Sequence, residues 1–257
     1  MNKKKTIRKQ FDLQAEKFSN WSVTRNTEYM KQYSEFCEIV EKDTLLDVAC
    51  GTGEYAIYCA QTIKNVWGVD LSSKMIEVAE KNANDLQLKN ISFKVQDVLE
   101  LPFESNQFSI VNCKSAFHHF EDYGKNINEM KRCCKTEGRI AVQDIITYEN
   151  PKINDYFERM ESQIDISHNM TLPVDFINRL FRDNNIKTLR SHIVNVELNL
   201  NEYIHHAVQT EESRNAIFDL IDFGINDTEI KKYFIEKEDG WYFKRNVLLV
   251  LGENKQP

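Results

Sequence analysis

Short apolar runs alternate with amphipathic, helix-length segments through the central part of the chain. Each run is about as long as a buried strand, and the segments between the runs carry apolar residues at helical spacing. Alternation of this kind predicts a parallel sheet whose strands are joined by right-handed helical crossovers. We expect strands at residues 44–49, 65–70, 91–96, 108–114 and 139–145, with the clearest helix at 72–84.

Both flanks of this core carry a different pattern. Residues 7–40 have helical periodicity, interrupted by a polar loop at 19–26. After residue 146 the pattern predicts helices at 154–166, 173–182, 199–223 and 227–234, and strands at 191–198 and 241–251. We therefore expect a single domain over residues 1–257, with an N-terminal helical lid at 1–43, a core at 44–146, and cap helices with the last two strands at 147–257.

A glycine-rich turn follows the first strand, in the sequence Asp47-Val-Ala-Cys-Gly-Thr-Gly53. Gly51 and Gly53 allow a tight turn and a close approach of the backbone to a ligand, which a Cβ atom would block. The amide groups of the following helix can face an anionic group. Asp70 ends the second strand, 19 residues beyond Gly51, where a carboxylate can accept hydrogen bonds from both hydroxyls of a ribose. The pattern predicts a site for a nucleoside-bearing ligand.

The turn by itself also fits the G-x-G-x-x-A pattern of NAD-binding folds, which leaves an NAD-dependent oxidoreductase as one alternative. The acidic Asp47 ahead of the turn favours another family. The segment resembles motif I of the class I S-adenosylmethionine-dependent methyltransferases, which usually have glycine at the position of Ala49. The resemblance continues with Asp97 at the end of the third strand, with the pair His118-His119, and with the helix, turn and strand over 130–144.

The histidine pair is typical of the branch that resembles ubiquinone and menaquinone biosynthesis enzymes. The resemblance implies an α/β fold: a Rossmann-like, doubly wound, seven-stranded and mostly parallel sheet with an antiparallel last strand, a helical N-terminal lid and a helical cap. It implies transfer of a methyl group from S-adenosyl-L-methionine to a small-molecule acceptor by in-line displacement, with S-adenosyl-L-homocysteine as product. A protein that binds these molecules without methylating, in a regulatory role, is the other alternative. Gly138 is expected to take the left-handed position of its turn.

The resemblance also implies which residues bind the cofactor. Asp70 would bind the ribose hydroxyls, Asp97 would accept a hydrogen bond from the adenine amino group, and residues of the lid would close on the methionine end. The full expected set is Asp47, Ala49, Cys50, Gly51, Gly53, Asp70, Leu71, Met75, Asp97, Val98, Cys113, Lys114, Arg25 and Tyr29.

The acceptor side of the site has fewer candidates. His118 and His119 are candidate catalytic bases, because an imidazole titrates near neutral pH. The competing interpretation is structural, with one ring capping the next helix and the other packing on the cofactor. His168 and Trp21 are the candidate substrate contacts, and each also has an ordinary interpretation as a loop or packing residue.

The composition of the chain indicates which kinds of binding partner to expect. The formal net charge of -7 disfavours nucleic acid, and the basic run at residues 2–5 is expected to be a solvated end of the chain. No apolar stretch has the length of a signal peptide core or a membrane span, so we expect a cytoplasmic protein without a membrane partner. The six cysteines contain no C-x-x-C pair, which favours reduced thiols over a metal site.

Overall fold

The computed structural model describes residues 3–255. Its strands are β1 (Thr44–Val48), β2 (Asn65–Asp70), β3 (Ile91–Val95), β4 (Phe108–Lys114), β5 (Cys134–Ile145), β6 (Ile186–Asn199), β7 (Phe234–Lys237) and β8 (Gly240–Asn254). Its helices are α1 (Lys3–Ser19), α2 (Thr27–Phe36), α3 (Glu54–Ala60), α4 (Ser73–Asp85), α5 (Tyr123–Cys133), α6 (Pro151–Ile164), α7 (Val174–Asp183), α8 (Leu200–His205) and α9 (Glu211–Asn226). Two short 3-10 turns lie at Phe117–His119 and Ile230–Tyr233.

All strands belong to one sheet, in the order β3-β2-β1-β4-β5-β8-β6, and β7 pairs with β8. The first five strands are mutually parallel. β8 runs antiparallel to each of its partners, β5, β6 and β7. The predicted mostly parallel sheet with an antiparallel last strand is thereby confirmed. Because the chain order reverses between β1 and β4, a crevice opens at the carboxyl ends of these strands, where ligands of such sheets bind.

Apolar side chains alternate between two faces of the sheet, and helices cover each face. On one face Met130 of α5 and Phe181 of α7 pack on the strands. On the other face Tyr33 of α2 and Tyr55 of α3 do so. Strands buried on both faces need nearly continuous apolar sequence, which explains the short runs in the core. A third cluster around Phe157 joins α6, α8 and α9 to β8 and forms the cap.

The cap differs from the sequence prediction in three places. The expected helix at 199–223 is two helices, α8 and α9, separated at residues 206–210. The expected helix at 227–234 is only a 3-10 turn, and the chain then forms β7, so the sheet has eight strands instead of seven. The sixth strand is also longer than predicted, because β6 pairs with β8 along most of its length.

The turn before the main part of β5 also differs. Glu137, with φ 59°, has the left-handed conformation that we expected at Gly138. Gly138 is needed for a different reason: a Cβ atom there would lie 2.8 Å from the Cys134 sulfur and 2.8 Å from the Lys135 carbonyl oxygen. Residues 134–138 form part of β5, so this strand begins earlier than position 139.

Across residues 3–255, none of the helices has both the length and the apolar character needed to cross a membrane.

Candidate functional site

A cavity of about 440 Å³ lies at the carboxyl ends of β1, β2, β4 and β5. Helix α1 contributes one wall, and residues from α6, α8 and β8 contribute another. Most of the residues predicted from the sequence line it. These are Asp47, Ala49, Cys50, Gly51, Asp70, Leu71, Asp97, Val98, Lys114, Tyr29, Trp21, His118, His119 and His168.

Four of the expected residues lie outside the cavity lining: Gly53, Met75, Cys113 and Arg25. Gly53 faces the sheet and α4, since an added Cβ would lie 2.9 Å from the side chains of Ala79 and Phe93. Met75 and Cys113 are fully buried core residues. Arg25 has an exposed side chain whose Nε donates to the Ser19 carbonyl oxygen at 2.6 Å, so it holds the loop after α1.

The glycine-rich turn bends through left-handed residues and is held by Asp70. Ala49 and Gly51 both have φ 56°. The two carboxylate oxygens of Asp70 accept hydrogen bonds from the backbone amides of Gly51 and Ser72, each at 2.9 Å. Burial raises the pKa of Asp70 to about 6. The carboxylate therefore joins the turn to the start of α4, and its remaining lone pairs are available to the cavity.

A second carboxylate lies at the inner end of the turn. Asn112 donates to Asp47 at 2.6 Å, and the hydroxyl of Tyr33 donates to Asn112 at 2.7 Å. Burial raises the pKa of Asp47 to about 7, against the opposing effect of the Asn112 hydrogen bond. Burial also raises the pKa of Glu54 and lowers the pKa of Lys114, and both side chains line the same wall. Sequence reasoning missed Glu54, although it directly follows the turn.

Helix α1 lies across the opening of the cavity. The ammonium group of Lys4 pairs with the Asp97 carboxylate, and Lys3 donates to the His168 carbonyl oxygen at 2.8 Å. The Phe11 ring packs edge-on against His119, with ring centres 5.0 Å apart. Two lysines of the basic run, Lys3 and Lys4, therefore contact groups at the cavity edge, while Lys5 is exposed to solvent; residue 2 lies outside the described residues.

His118 forms a close pair with a carboxylate at the end of β5. Its Nδ1 lies 2.6 Å from Oδ1 of Asp144, which is fully buried. Burial alone would lower the pKa of His118, but the Asp144 carboxylate outweighs it, so the pKa is raised. His119 behaves in the opposite way: burial and the neighbouring charge of His118 lower its pKa to about 3. Since only His118 has a carboxylate partner on its ring, the two histidines differ in basicity.

His168 forms a second pair of this kind on the cap side. Its Nε2 lies 3.1 Å from Oε2 of Glu158 in α6. The backbone amide of Asn169 donates to the His118 carbonyl oxygen at 2.8 Å, which ties the loop of His168 to the loop of the histidine pair. The ring centres of His118 and His168 are 5.7 Å apart. Hydrogen bonds from His168 and Thr171 outweigh the effect of burial and lower the pKa of Glu158 to about 2.

A buried polar cluster that sequence reasoning missed forms the floor of the cavity. Arg245 of β8 is 1% exposed and lies 3.1 Å from Glu161 of α6. The Tyr203 hydroxyl donates to the same carboxylate at 2.7 Å. Next to this cluster, Trp21 stacks on the ring of His206, with ring centres 4.4 Å apart. A signal was present in the sequence, because each charge falls on the apolar face of its element. Glu161 lies at helical spacing with Phe157 and Ile164, and Arg245 alternates with Phe243 and Val247 along its strand.

Unsatisfied polar atoms concentrate around this cavity. Among residues 3–255, seven buried side-chain nitrogen or oxygen atoms have no hydrogen-bond partner. Six of them belong to residues that line the cavity: Gln14, Tyr29, Asn126, Gln143, His168 and Arg245. Buried polar groups in proteins are almost always paired, so this distribution is typical of a site that binds a polar ligand.

Comparison with known proteins agrees with this arrangement. A family model described as a methyltransferase domain matches residues 39–172. The chain is 28% identical to the uncharacterized methyltransferase YcgJ of Bacillus subtilis over 158 residues, which is 62% of each chain. It is 31% identical to the demethylmenaquinone methyltransferase of Thermotoga maritima over 149 residues, or 56% of this chain and 63% of that protein. The chain thus spans less than two thirds of the length of these curated relatives.

Solved structures share the fold over a larger part of the chain. The crystal structure of YcgJ superposes with a TM-score of 0.78 at 20% identity, covering 89% of this chain and 98% of that chain. The geranyl diphosphate C-methyltransferase of Streptomyces coelicolor was solved with Mg²⁺, geranyl diphosphate and S-adenosyl-L-homocysteine. It superposes with a TM-score of 0.58 at 18% identity, covering 87% of this chain and 78% of that chain.

Proposed function

Since the chain belongs to the methyltransferase domain family, we propose that it transfers a methyl group from S-adenosyl-L-methionine to a small-molecule acceptor. The observation that carries the proposal is the position of Asp70, Asp97 and the glycine-rich turn around one cavity that also contains a histidine–carboxylate pair. The Thermotoga maritima relative is named for methylation of demethylmenaquinone, and this supports a small-molecule acceptor.

The residues on the sheet side of the cavity fit this cofactor. Asp70 would hold the two ribose hydroxyls, because both of its oxygens are fixed by backbone amides and retain further lone pairs. Asp97 would accept from the adenine amino group. Lys114 and the carboxylates of Asp47 and Glu54 would face the methionine carboxylate and ammonium groups. The unpartnered atoms of Gln14 and Tyr29 on the lid side support a polar ligand here.

When bound, the cofactor supplies an electrophilic methyl group that an acceptor atom takes by in-line displacement. This chain must then hold the acceptor, exclude water and take its proton. Asp144 keeps the ring proton of His118 on Nδ1, which leaves the lone pair of Nε2 to receive the acceptor proton. We assign the base to His118 and not to His119, because only the His118 ring is paired with a carboxylate that stabilises its charged form.

A cytoplasmic location belongs to the same proposal. All six cysteines are unpaired, and free thiols persist in a reducing compartment.

Thermal unfolding with added ligands tests the proposal. At about 100 times its dissociation constant, S-adenosyl-L-homocysteine stabilises the folded state by about 2.7 kcal/mol. For a chain of this size, that corresponds to a rise in Tm of about 5–10 °C. NAD at the same concentration should leave Tm unchanged. A rise with NAD and none with S-adenosyl-L-homocysteine would favour the oxidoreductase instead.

A second experiment separates methylation from mere binding. The protein is incubated with methyl-labelled S-adenosyl-L-methionine and a deproteinised extract of bacterial metabolites, and the label is followed into small molecules. We expect labelled product with the wild type and much less with Asp144→Asn, at unchanged affinity for S-adenosyl-L-homocysteine. Binding without any transfer of label would support the non-methylating alternative and refute the enzyme.

A further inference from the structure

Two consecutive hydrogen bonds connect helix α2 to the carboxylate of Asp47. The Tyr33 hydroxyl donates to Oδ1 of Asn112 at 2.7 Å, and Nδ2 of Asn112 donates to Oδ1 of Asp47 at 2.6 Å. Asn112 in β4 lies directly beside Asp47 in β1, and Tyr33 reaches them from α2. All three residues are at most 2% exposed. We call Tyr33 and Asn112 the relay, because together they link α2 to Asp47.

Polar side chains in the positions of the relay are costly for a protein core. The neighbours of Asn112 in β4, Val111 and Cys113, are fully buried, and an apolar side chain at position 112 would need no hydrogen-bond partner. Buried amide and hydroxyl groups destabilise the fold unless they are paired. Neither Tyr33 nor Asn112 lines the cavity, so the relay acts on a ligand only through Asp47. This placement indicates that the relay serves the carboxylate.

The relay determines which way round the amide of Asn112 lies. The oxygen and nitrogen of a carboxamide are nearly equal in size, so hydrogen bonds decide its orientation. Burial raises the pKa of Tyr33, which keeps the phenol protonated and able to donate to Oδ1. Nδ2 then faces Asp47 as a donor, which an ionised carboxylate accepts. The reversed amide would present its oxygen to Asp47 and would favour the protonated carboxyl. Tyr33 therefore stabilises the ionised form of Asp47 through Asn112.

The carboxylate that the relay holds has one oxygen left for a ligand. Asp47 lines the cavity, and among residues 3–255 no group donates to its Oδ2. Burial raises the pKa of Asp47 to about 7, and the hydrogen bond from Asn112 opposes this rise. Near neutral pH, the ionised fraction of Asp47 therefore depends on whether the relay is intact.

Other titratable groups also surround Asp47. Lys114 at the end of β4 favours its ionised form, whereas Asp70 of β2 and Glu54 of α3 oppose it. Within the part of the chain that the structure describes, Asn112 alone donates a hydrogen bond to Asp47. Burial raises the pKa of each remaining neighbour and keeps it neutral near pH 7; these are Tyr33, Cys37, Cys50, Cys59 and Cys113.

We propose that Tyr33 and Asn112 are positioning residues for the cofactor, which hold Asp47 ionised and oriented so that Oδ2 accepts a hydrogen bond from the ammonium group of the methionine moiety. This inference rests on the proposed function and extends the cofactor site to helix α2. A charged donor binds an ionised acceptor about twice as strongly as a neutral one. A relay that served only the packing of the core would affect folding stability, but it would not act on the amino-acid end of the ligand in particular.

Calorimetric titration with two ligands tests the relay. The probes are S-adenosyl-L-homocysteine and 5′-methylthioadenosine, which keeps the adenosine and the sulfur but lacks the amino-acid end. The ratio of the two affinities reports on that end, because contacts to the ribose contribute to both. For the wild type, the ratio should fall as the pH is lowered from 8 to 6, with a midpoint near 7. In Tyr33→Phe the midpoint should rise by about one pH unit, which lowers the ratio at pH 7 about fivefold. The affinity for 5′-methylthioadenosine should stay within about twofold of the wild-type value.

Asn112→Leu provides a second variant, because leucine has nearly the shape of asparagine but no donor for Asp47. Its ratio at pH 7 should fall at least as far as in Tyr33→Phe, and adding Tyr33→Phe to it should cause no further change. Tyr156→Phe is the matched control. Tyr156 is also a buried tyrosine whose hydroxyl makes one hydrogen bond, to the Leu220 carbonyl oxygen at 2.9 Å, and it lies outside the cavity lining. It should retain the wild-type ratio and midpoint.

Three results would overturn the inference: an unchanged ratio in Tyr33→Phe, an equal loss of affinity for both probes, or effects of the two substitutions that add in the double variant. Tighter binding of S-adenosyl-L-homocysteine by Tyr33→Phe would also overturn it, since Asp47 would then repel the ligand carboxylate instead of binding the ammonium. If the wild type does not bind S-adenosyl-L-homocysteine, the proposed function fails together with this inference. Normal binding without an effect of the relay refutes the inference alone.

Discussion

Replacing Asp70 with alanine tests how the turn and the cofactor are connected. The wild-type carboxylate accepts two backbone amides at 2.9 Å and is 9% exposed, so it is fixed before any ligand arrives. The ribose hydroxyls would then donate to a preorganised carboxylate, and hydrogen bonds to a charged group contribute about 1.5–3 kcal/mol each. We expect Asp70→Ala to weaken the binding of S-adenosyl-L-homocysteine by about 1–3 kcal/mol, or roughly 5–150-fold.

The pH dependence of ligand binding provides a second test of Asp70. Burial raises the pKa of Asp70 to about 6, and the ribose hydroxyls require its ionised form. The wild-type affinity should therefore fall as the pH drops below about 6, and Asp70→Ala should lose this part of the dependence while retaining any part due to Asp47.

The assay is isothermal titration calorimetry at pH 8, where Asp70 is ionised, repeated at pH 5.5. Thermal unfolding without ligand establishes that the variant is folded at the titration temperature. Asp85→Ala is the control, since Asp85 is an exposed carboxylate at the end of the helix that Asp70 precedes. An affinity for S-adenosyl-L-homocysteine that does not differ between Asp70→Ala and the control at pH 8 would refute the ribose assignment.

Three further predictions each concern a single residue. Ala49 has φ 56°, a left-handed conformation that strains a residue with a Cβ atom, so Ala49→Gly should raise the free energy of unfolding, measured in urea, by about 1 kcal/mol. The control Ala83→Gly, inside α4, should lower the free energy of unfolding by about as much. A loss of stability in Ala49→Gly would contradict the backbone strain at Ala49. Asp144→Asn should lower the pKa of His118 by about 1–3 units in an NMR titration, and an unchanged pKa would show that the pair is not coupled. The pKa of His119 is lowered to about 3 in the folded protein, so burial of its neutral ring costs no stability above the unfolded-state pKa of about 6.5. Folding stability is then lost as the pH falls from about 6.5 toward 3. Between pH 7.5 and 5.5 the free energy of unfolding of the wild type should fall by about 1.4 kcal/mol more than that of His119→Gln. If the free energies of the two proteins change with pH in parallel, the ring of His119 is not held neutral by burial.

Local sequence signals predicted the parallel core well. The observed bounds of β2 and β4 coincide with the predicted ones, and those of β1 and β3 end one residue earlier. These strands are short apolar or alternating segments, and a charged residue or the glycine-rich turn lies within three positions of each carboxyl end, so a few neighbouring positions contain the information. The same local pattern brought Asp47 and Asp70 to the correct ends of their strands.

The features that the sequence did not predict depend on contacts between residues far apart along the chain. The difference between His118 and His119 comes from Asp144, which is 26 positions away from His118 and was not identified as its partner. The short strand β7 forms because residues 234–237 pair with the start of β8, whereas the sequence pattern predicted a helix up to residue 234. Arg245 meets Glu161 because β8 lies beside β5 and α6 packs against it, and neither arrangement is visible in the local sequence.

Gly53 and Arg25 show a related limit of motif reasoning. Both lie within or near segments that bind the cofactor in the resembled family, yet Gly53 is a packing glycine against α4 and Arg25 holds a loop carbonyl. A motif indicates which segment approaches the ligand. It does not indicate which way each side chain in the segment points, because that depends on the elements packed behind it.

A crystal structure of the protein with S-adenosyl-L-homocysteine is the most direct test of cofactor binding in this cavity. We expect the ribose hydroxyls on the Asp70 carboxylate, the adenine amino group at Asp97, and the sulfur directed toward His118. A nucleoside bound elsewhere, or a ligand whose sulfur points away from His118, would contradict this expectation.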